Sequence, residues 1–166
     1  MTSDMAGMRI RRMSAVDLER VMEIAGSLRD APKWQVSAYL AAINSGDVAG
    51  NVAANVPRRI ALVAAEPVSE TPAGFLVASV VPPEAELETV AVAVESQRHG
   101  MGGRLLRALV EELRTERVTA LILEARASNR AALKFYRARG FEETGRRPRY
   151  YADPNEDAIL MRLRLA

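Results

Sequence analysis

Apolar positions change their spacing along this chain, and the changes mark out its elements. Met8-Arg9-Ile10-Arg11-Arg12-Met13 alternates, as a strand with one buried face does. From Val16 the apolar residues take a helical period through Leu18, Val21, Met22, Ile24 and Ala25. Ser14 and Asp17 ahead of them have capping-box spacing, with Asp in place of the usual Glu or Gln. Pro32 breaks the run, and Trp34 to Ile43 reads as a second short helix. Residues 44–58 are rich in Asn, Gly and Ala and read as a loop. Arg59 to Glu66 and Gly74 to Val81 read as a hairpin around the turn Pro67–Pro72, closed by Pro82-Pro83. Ala85 to Val94 is a third strand, apolar enough to predict burial on both faces.

Glycines then interrupt the pattern at Gly100-Met101-Gly102-Gly103. A helix follows from Gly103 to Arg117, with Leu105, Leu106, Leu109, Val110 and Leu113 inward. Thr119 to Ala125 is a strand, apolar but for Glu124. Asn129 to Arg139 is a helix that Gly140 ends. Strands around Phe141 to Arg147 and Ala158 to Leu165 flank a turn at Asp153-Pro154-Asn155. The order β-α-α-β-β-β-α-β-α-β-β predicts a mixed α/β (α+β) domain over residues 1–166, with residues 1–7 disordered.

Composition narrows the chemistry. The chain has 166 residues and a formal net charge of +2, with no long Lys/Arg tract, so direct nucleic-acid binding is not expected. It has no cysteine, which excludes disulfides, thiolate metal sites and a cysteine acyl-enzyme. Its one histidine, His99, sits in the glycine turn, and no metal is expected. Neither a signal peptide nor a membrane span is visible, and a cytoplasmic protein is the expectation.

Glycines between a strand and a helix let backbone approach a ligand closely. The free N–H groups at the helix start favour anions, so the turn reads as a pyrophosphate cradle. Gly103 is followed by Arg104-Leu105, not by the Lys-Ser/Thr of a Walker loop, and the spacing is not G-x-G-x-x-G. It does meet Gln/Arg-x-x-Gly-x-Gly at Gln97, Gly100 and Gly102. A second signal is Glu124, an acidic residue in an apolar strand, followed by Asn129, by Tyr136 and by Gly140-Phe141. The buried cost of a carboxylate makes such a residue a candidate for chemistry, although pairing with Arg126 or Arg130 would also account for it.

These stretches resemble the GCN5-related N-acetyltransferases (GNAT), and within them the ribosomal-protein-alanine group, from about Glu86 to Leu163. The resemblance implies the GNAT fold, a mixed, mostly antiparallel sheet flanked by helices, and acetyl-CoA as cosubstrate. It implies that Glu124 is the general base and Tyr136 the general acid. Val90, Ala91 and Val92 would bond the pantetheine amides. Arg98, His99, Gly100, Met101, Gly102 and Gly103 would hold the pyrophosphate, and Asn129 would add a coenzyme contact. Trp34, Tyr150 and Tyr151 would meet the acceptor, a protein N-terminus and within this group the N-terminal alanine of a ribosomal protein. Two positions depart from the pattern. Ala93-Val94 replaces a common Asp-Pro, and the arginine usual at the loop's end is Gly103, with Arg104 one place later. A small-amine acetyltransferase and a non-catalytic acyl-CoA-binding domain are the alternative readings. Arg146, Arg147 and Arg149 read first as a solvated face, and Glu84, Glu86 and Glu88 equally as a solvated strand end or as a group that could attract a cationic substrate.

Overall fold

A computed structural model describes residues 7–45 and 57–165. Its elements are β1 (Arg9–Arg12), α1 (Leu18–Ser27), α2 (Val36–Ser45), β2 (Arg58–Ala65), β3 (Pro72–Val81) and β4 (Glu84–Val92). After these come α3 (Met101–Thr115), β5 (Ala120–Arg126), α4 (Arg130–Arg137), β6 (Glu142–Ala152) and β7 (Asn155–Arg164). The strands form one seven-stranded sheet in the order β1-β2-β3-β4-β5-β7-β6. Every neighbouring pair is antiparallel except β4 with β5. The element order and the mixed, mostly antiparallel sheet are those the apolar pattern and the resemblance imply.

Helices cover both faces. Leu105, Leu109 and Leu113 of α3 and Leu133 and Tyr136 of α4 pack on Ile60, Leu76, Leu87, Leu121 and Leu123. On the other face, Val21 and Ile24 of α1 and Tyr39 of α2 pack on Val63, Phe75, Val77 and Ala91. The Ser14 signal works as its spacing suggests: the Ser14 N–H donates to the Asp17 carboxylate at 2.8 Å. Asp17 is 3% exposed and is held by Arg11 at 2.8 and 2.9 Å. Among the described residues, no helix is long and apolar enough to cross a membrane.

Several boundaries differ from the expected ones. α2 runs on to Ser45 and β2 begins at Arg58, so the loop read at 44–58 loses both ends; residues 46–56 lie outside the described residues. The disorder expected at 1–7 likewise falls outside them, apart from Gly7. α3 begins at Met101 rather than Gly103, which places Gly102 and Gly103 inside its first turn. β6 and β7 are longer than their apolar residues suggest, because β6 is an edge strand exposed along most of its length and carries no alternation to read.

β4 corrects the expectation of burial on both faces. Val77 pairs with Thr89 whereas Ala78 pairs with Leu87, which leaves Glu88 as an extra, bulged residue. The bulge reverses the strand's parity. Ala85 and Leu87 face the α3 side before it; Val90 and Val92 do so after it, while Ala91 turns to the α1/α2 core. Glu86 remains exposed. The parallel ladder between β4 and β5 is short: it joins only Glu84–Glu86 to Ala120–Ile122. Beyond it, β4 stays paired to β3 as far as Val92, and β5 stays paired to β7 as far as Arg126. The sheet therefore opens between two strands that are each firmly held on their far side.

Candidate functional site

A cleft of about 850 Å³ fills this opening. Its walls are Glu86–Val90 of β4, Leu123–Arg126 of β5, Asn129, Ala132 and Tyr136 around α4, Tyr150 and Tyr151 of β6, and the α1–α2 loop from Leu28 to Lys33. The parting of the strands explains why residues from both faces of the sheet meet here. Leu123 and Ala125 belong to the α3/α4 core, and Glu124 between them points to the other face. Tyr136 reaches the cleft from α4 on the α3 side.

Glu124 is held by an arginine that the sequence reading did not pair with it. The Arg147 Nε lies 3.2 Å from a Glu124 carboxylate oxygen, and the Glu124 side chain is 19% exposed. Arg126, one of the two partners considered from sequence, pairs with Glu156 instead at 3.3 Å and stacks on the Tyr151 ring at 4.2 Å. Arg146 pairs with Asp157, and the Arg149 N–H donates to the same carboxylate. The arginine run is thus a set of cross-strand ties as well as a solvated face.

The phenols share one electrostatic environment. Hydrogen bonding to Glu124, and then the charge of that carboxylate, raise the pKa of Tyr150. Burial first, and then the Glu124 charge, raise that of Tyr151. Tyr136 is the most enclosed, packed edge-on against Phe135 and Phe141, and burial pushes its pKa up to about 12. Glu86 is exposed as a residue, yet its carboxyl sits in the mouth of the cleft. Desolvation there, and then the charges of Glu124 and Glu88, raise its pKa. Glu88 is held by Arg59 at 3.0 Å. The α1–α2 loop is fixed by Lys33, whose ammonium donates to the carbonyls of Ala25 and Leu28 at 2.5 Å each. Such a bond caps the C-terminal carbonyls of α1.

The glycine turn lies past the end of β4. Gly100 is the N-cap of α3 with φ 77°, a left-handed conformation suited to glycine, and the space where its Cβ would stand is open. Arg98 also has a positive φ, 66°. The first turn of α3 holds no acidic side chain, and its N-cap makes no side-chain hydrogen bond, so its amide groups remain available to an anion. The Gln97 amide donates to the Val92 carbonyl at 3.0 Å and fastens the turn to the strand. Met101 is 3% exposed, its side chain in the core, so it offers the turn only its backbone. His99 is exposed, its ring beside the Ser96 carbonyl. A Cβ at Gly102 would stand 3.3 Å from the Phe135 ring of α4.

Of the residues singled out from sequence, Glu124, Tyr136, Asn129, Val90, Tyr150 and Tyr151 line the cleft. Asn129 also caps α4, its carboxamide oxygen accepting from the Ala132 N–H at 3.2 Å. Trp34 does not line it. Its indole packs against the Tyr39 ring, centroids 5.2 Å apart, as part of the α1/α2 core, while its neighbours Pro32 and Lys33 supply the wall. Sequence reading missed the α1–α2 loop as a wall and Arg147 as the partner of Glu124. The one available signal for the bulge was the shift in apolar parity from Ala85 and Leu87 to Val90 and Val92.

Comparison with known proteins gives a consistent set of relatives. The sequence pattern of the Acetyltransferase (GNAT) family matches residues 28–141. The [ribosomal protein bS18]-alanine N-acetyltransferase of Salmonella typhimurium is 46% identical over 93 residues, 55% of this chain and 63% of that protein. The match therefore spans a little under two thirds of that relative's length. The crystal structure of the ribosomal-protein-S18-alanine N-acetyltransferase from Escherichia coli superposes with a TM-score of 0.77 at 30% identity, covering 96% of this chain and 94% of that one. Ard1 from Thermoplasma volcanium superposes with a TM-score of 0.81 at 25% identity, covering 96% and 99%.

Proposed function

From the premise that this chain belongs to the Acetyltransferase (GNAT) family, we propose that it transfers the acetyl group of acetyl-CoA directly to the N-terminal alanine of a protein, a ribosomal protein in the first instance. The observation that carries this reading is the opening between β4 and β5, lined by Glu124 from one face of the sheet and Tyr136 from the other. The names of the two ribosomal-protein-alanine acetyltransferases described above point the same way. A cytoplasmic setting is part of the proposal.

The chain's residues divide the work as follows. The unpaired edge of β4 from Val90 to Val92 receives the amides of the pantetheine arm as a strand would, and the amide groups at the start of α3 receive its pyrophosphate. The bound coenzyme supplies the thioester. An amine is protonated at neutral pH and cannot attack a carbonyl, so Glu124 takes its proton, directly or through water. Tyr136, pushed up to about 12, stays protonated throughout the neutral range. A thiol ordinarily titrates near about 8.5. Tyr136 therefore stabilises the departing thiolate chiefly by donating a hydrogen bond, a role that needs its proton held rather than freely released. With no cysteine in the chain, transfer needs no acyl-enzyme. The acceptor enters past Glu86, Glu88 and the α1–α2 loop, where Glu86, Glu88 and Glu124 favour a cationic chain end.

The test is a panel of acceptors read by coenzyme release. A peptide beginning with Ala and carrying basic residues nearby is expected to outcompete free lysine, spermidine and aminoglycosides. Equal use of a small free amine would replace the protein acceptor with a small-molecule one, and binding without release on any acceptor would leave an acyl-CoA-binding domain.

A further inference from the structure

At Gly103 the glycine turn has no side chain of its own, and the fold brings a cation from elsewhere in the chain against it. Arg139 follows α4 and is remote in sequence from the turn, yet its guanidinium lies against Gly103. A Cβ built on Gly103 would stand 2.6 Å from Nη2 and 3.1 Å from Nε of Arg139. The guanidinium is anchored there twice. Its Nη1 donates to the Phe135 carbonyl at 3.0 Å, and its Cζ lies over the Phe135 ring, 3.7 Å from the centroid. Phe135 is itself packed beside Gly102. Arg139 makes no ion pair with an acidic side chain among the described residues.

This arrangement is electrostatically unfavourable by itself. The start of a fifteen-residue helix carries partial positive charge, and no acidic residue in its first turn offsets it. A fixed guanidinium in contact with that turn adds to the same sign. An anion between them relieves both. Resting on the reading of the turn as a coenzyme site, we infer that Arg139 binds a phosphate group of the coenzyme. A side chain at Gly103 would meet the guanidinium and push it aside from the turn. Arg104, one place along, is engaged elsewhere: its guanidinium donates to the Met8 carbonyl.

The experiment compares the protein with Arg139→Ala, using acetyl-CoA in calorimetry and S-acetylpantetheine, which has no phosphate, in an NMR titration. Charge-assisted hydrogen bonds of this kind correspond to roughly 10- to 100-fold in affinity. Arg139→Ala is expected to weaken acetyl-CoA by about that factor, to flatten its salt dependence, and to leave S-acetylpantetheine unchanged. Adding Gly103→Arg to Arg139→Ala restores a cation where the missing one stood and is expected to recover most of the affinity. Unchanged acetyl-CoA affinity in Arg139→Ala overturns the inference, as does equal weakening of both ligands, which would make Arg139 a packing residue. If the unsubstituted protein fails to bind acetyl-CoA, the coenzyme reading itself falls and this inference with it.

Discussion

Glu124 stands out in the sequence because a carboxylate breaks an apolar strand, whereas Tyr136 stands out only through the resemblance to the acetyltransferases. What they touch could not be read there. Arg147 reaches Glu124 from an edge strand, and burial of Tyr136 depends on Phe135 and Phe141 closing around it. The two residues should separate in a pH profile. Glu124→Gln keeps the shape but cannot accept a proton, and Tyr136→Phe keeps the ring but cannot donate a hydrogen bond. Each is expected to lower turnover by about 10²–10⁴-fold while leaving acetyl-CoA affinity in calorimetry intact. The loss in Glu124→Gln should shrink at high pH, where the amine is already neutral. Because Tyr136 titrates at about 12, it should contribute no alkaline fall in rate below about pH 10. A full rate for Glu124→Gln at neutral pH, with chemistry limiting, would make that carboxylate structural and direct attention to Glu86.

At the level of elements, helices and buried strands were legible because their apolar periods are strong, and their ends were less so. α3 starts two residues early since glycines, read as turn residues, are accepted in a first helical turn when Gly100 supplies the left-handed cap. β6 was the least legible. As an edge strand it buries almost nothing, and Arg146, Arg147, Pro148 and Arg149 with two register shifts are what an edge uses to refuse a further strand. Asn129 does two things at one position. It caps α4 and lines the cleft, so Asn129→Ala is expected to cost about 1 kcal/mol of stability in denaturant unfolding. The same helix carries Tyr136, and turnover should fall with the fraying of its first turn. Stability equal to that of the unsubstituted chain would show that the cap contributes nothing.

For the whole molecule, element order could be read from the chain but strand order could not, because inserting β7 between β5 and β6 is a long-range pairing that no local pattern encodes. The cleft follows from that topology, and so does its charge. Glu86 is raised by desolvation and by its acidic neighbours. The folded protein thus holds this proton to higher pH than the unfolded chain does, and stability falls as pH rises through the interval between the two values. Below the unfolded value, both states are protonated and nothing is lost. Glu86→Gln should accordingly raise the melting temperature at pH 7 to 8 and leave it unchanged near pH 4; the gain should stay below about 1 kcal/mol because the group is partly solvated. An equal change at both pH values would mean that shape, not charge, is responsible. The short parallel ladder between β4 and β5 has a mechanical consequence as well. Three residue pairs weld two half-sheets, β1–β4 and β5–β7, that are otherwise each complete. Across the line between them the halves are joined by the shared α3/α4 core rather than by a continuous backbone ladder. On the proposed function, a cosubstrate laid along that line would act as a splint, and occupancy of the cleft and rigidity of the whole sheet would rise together.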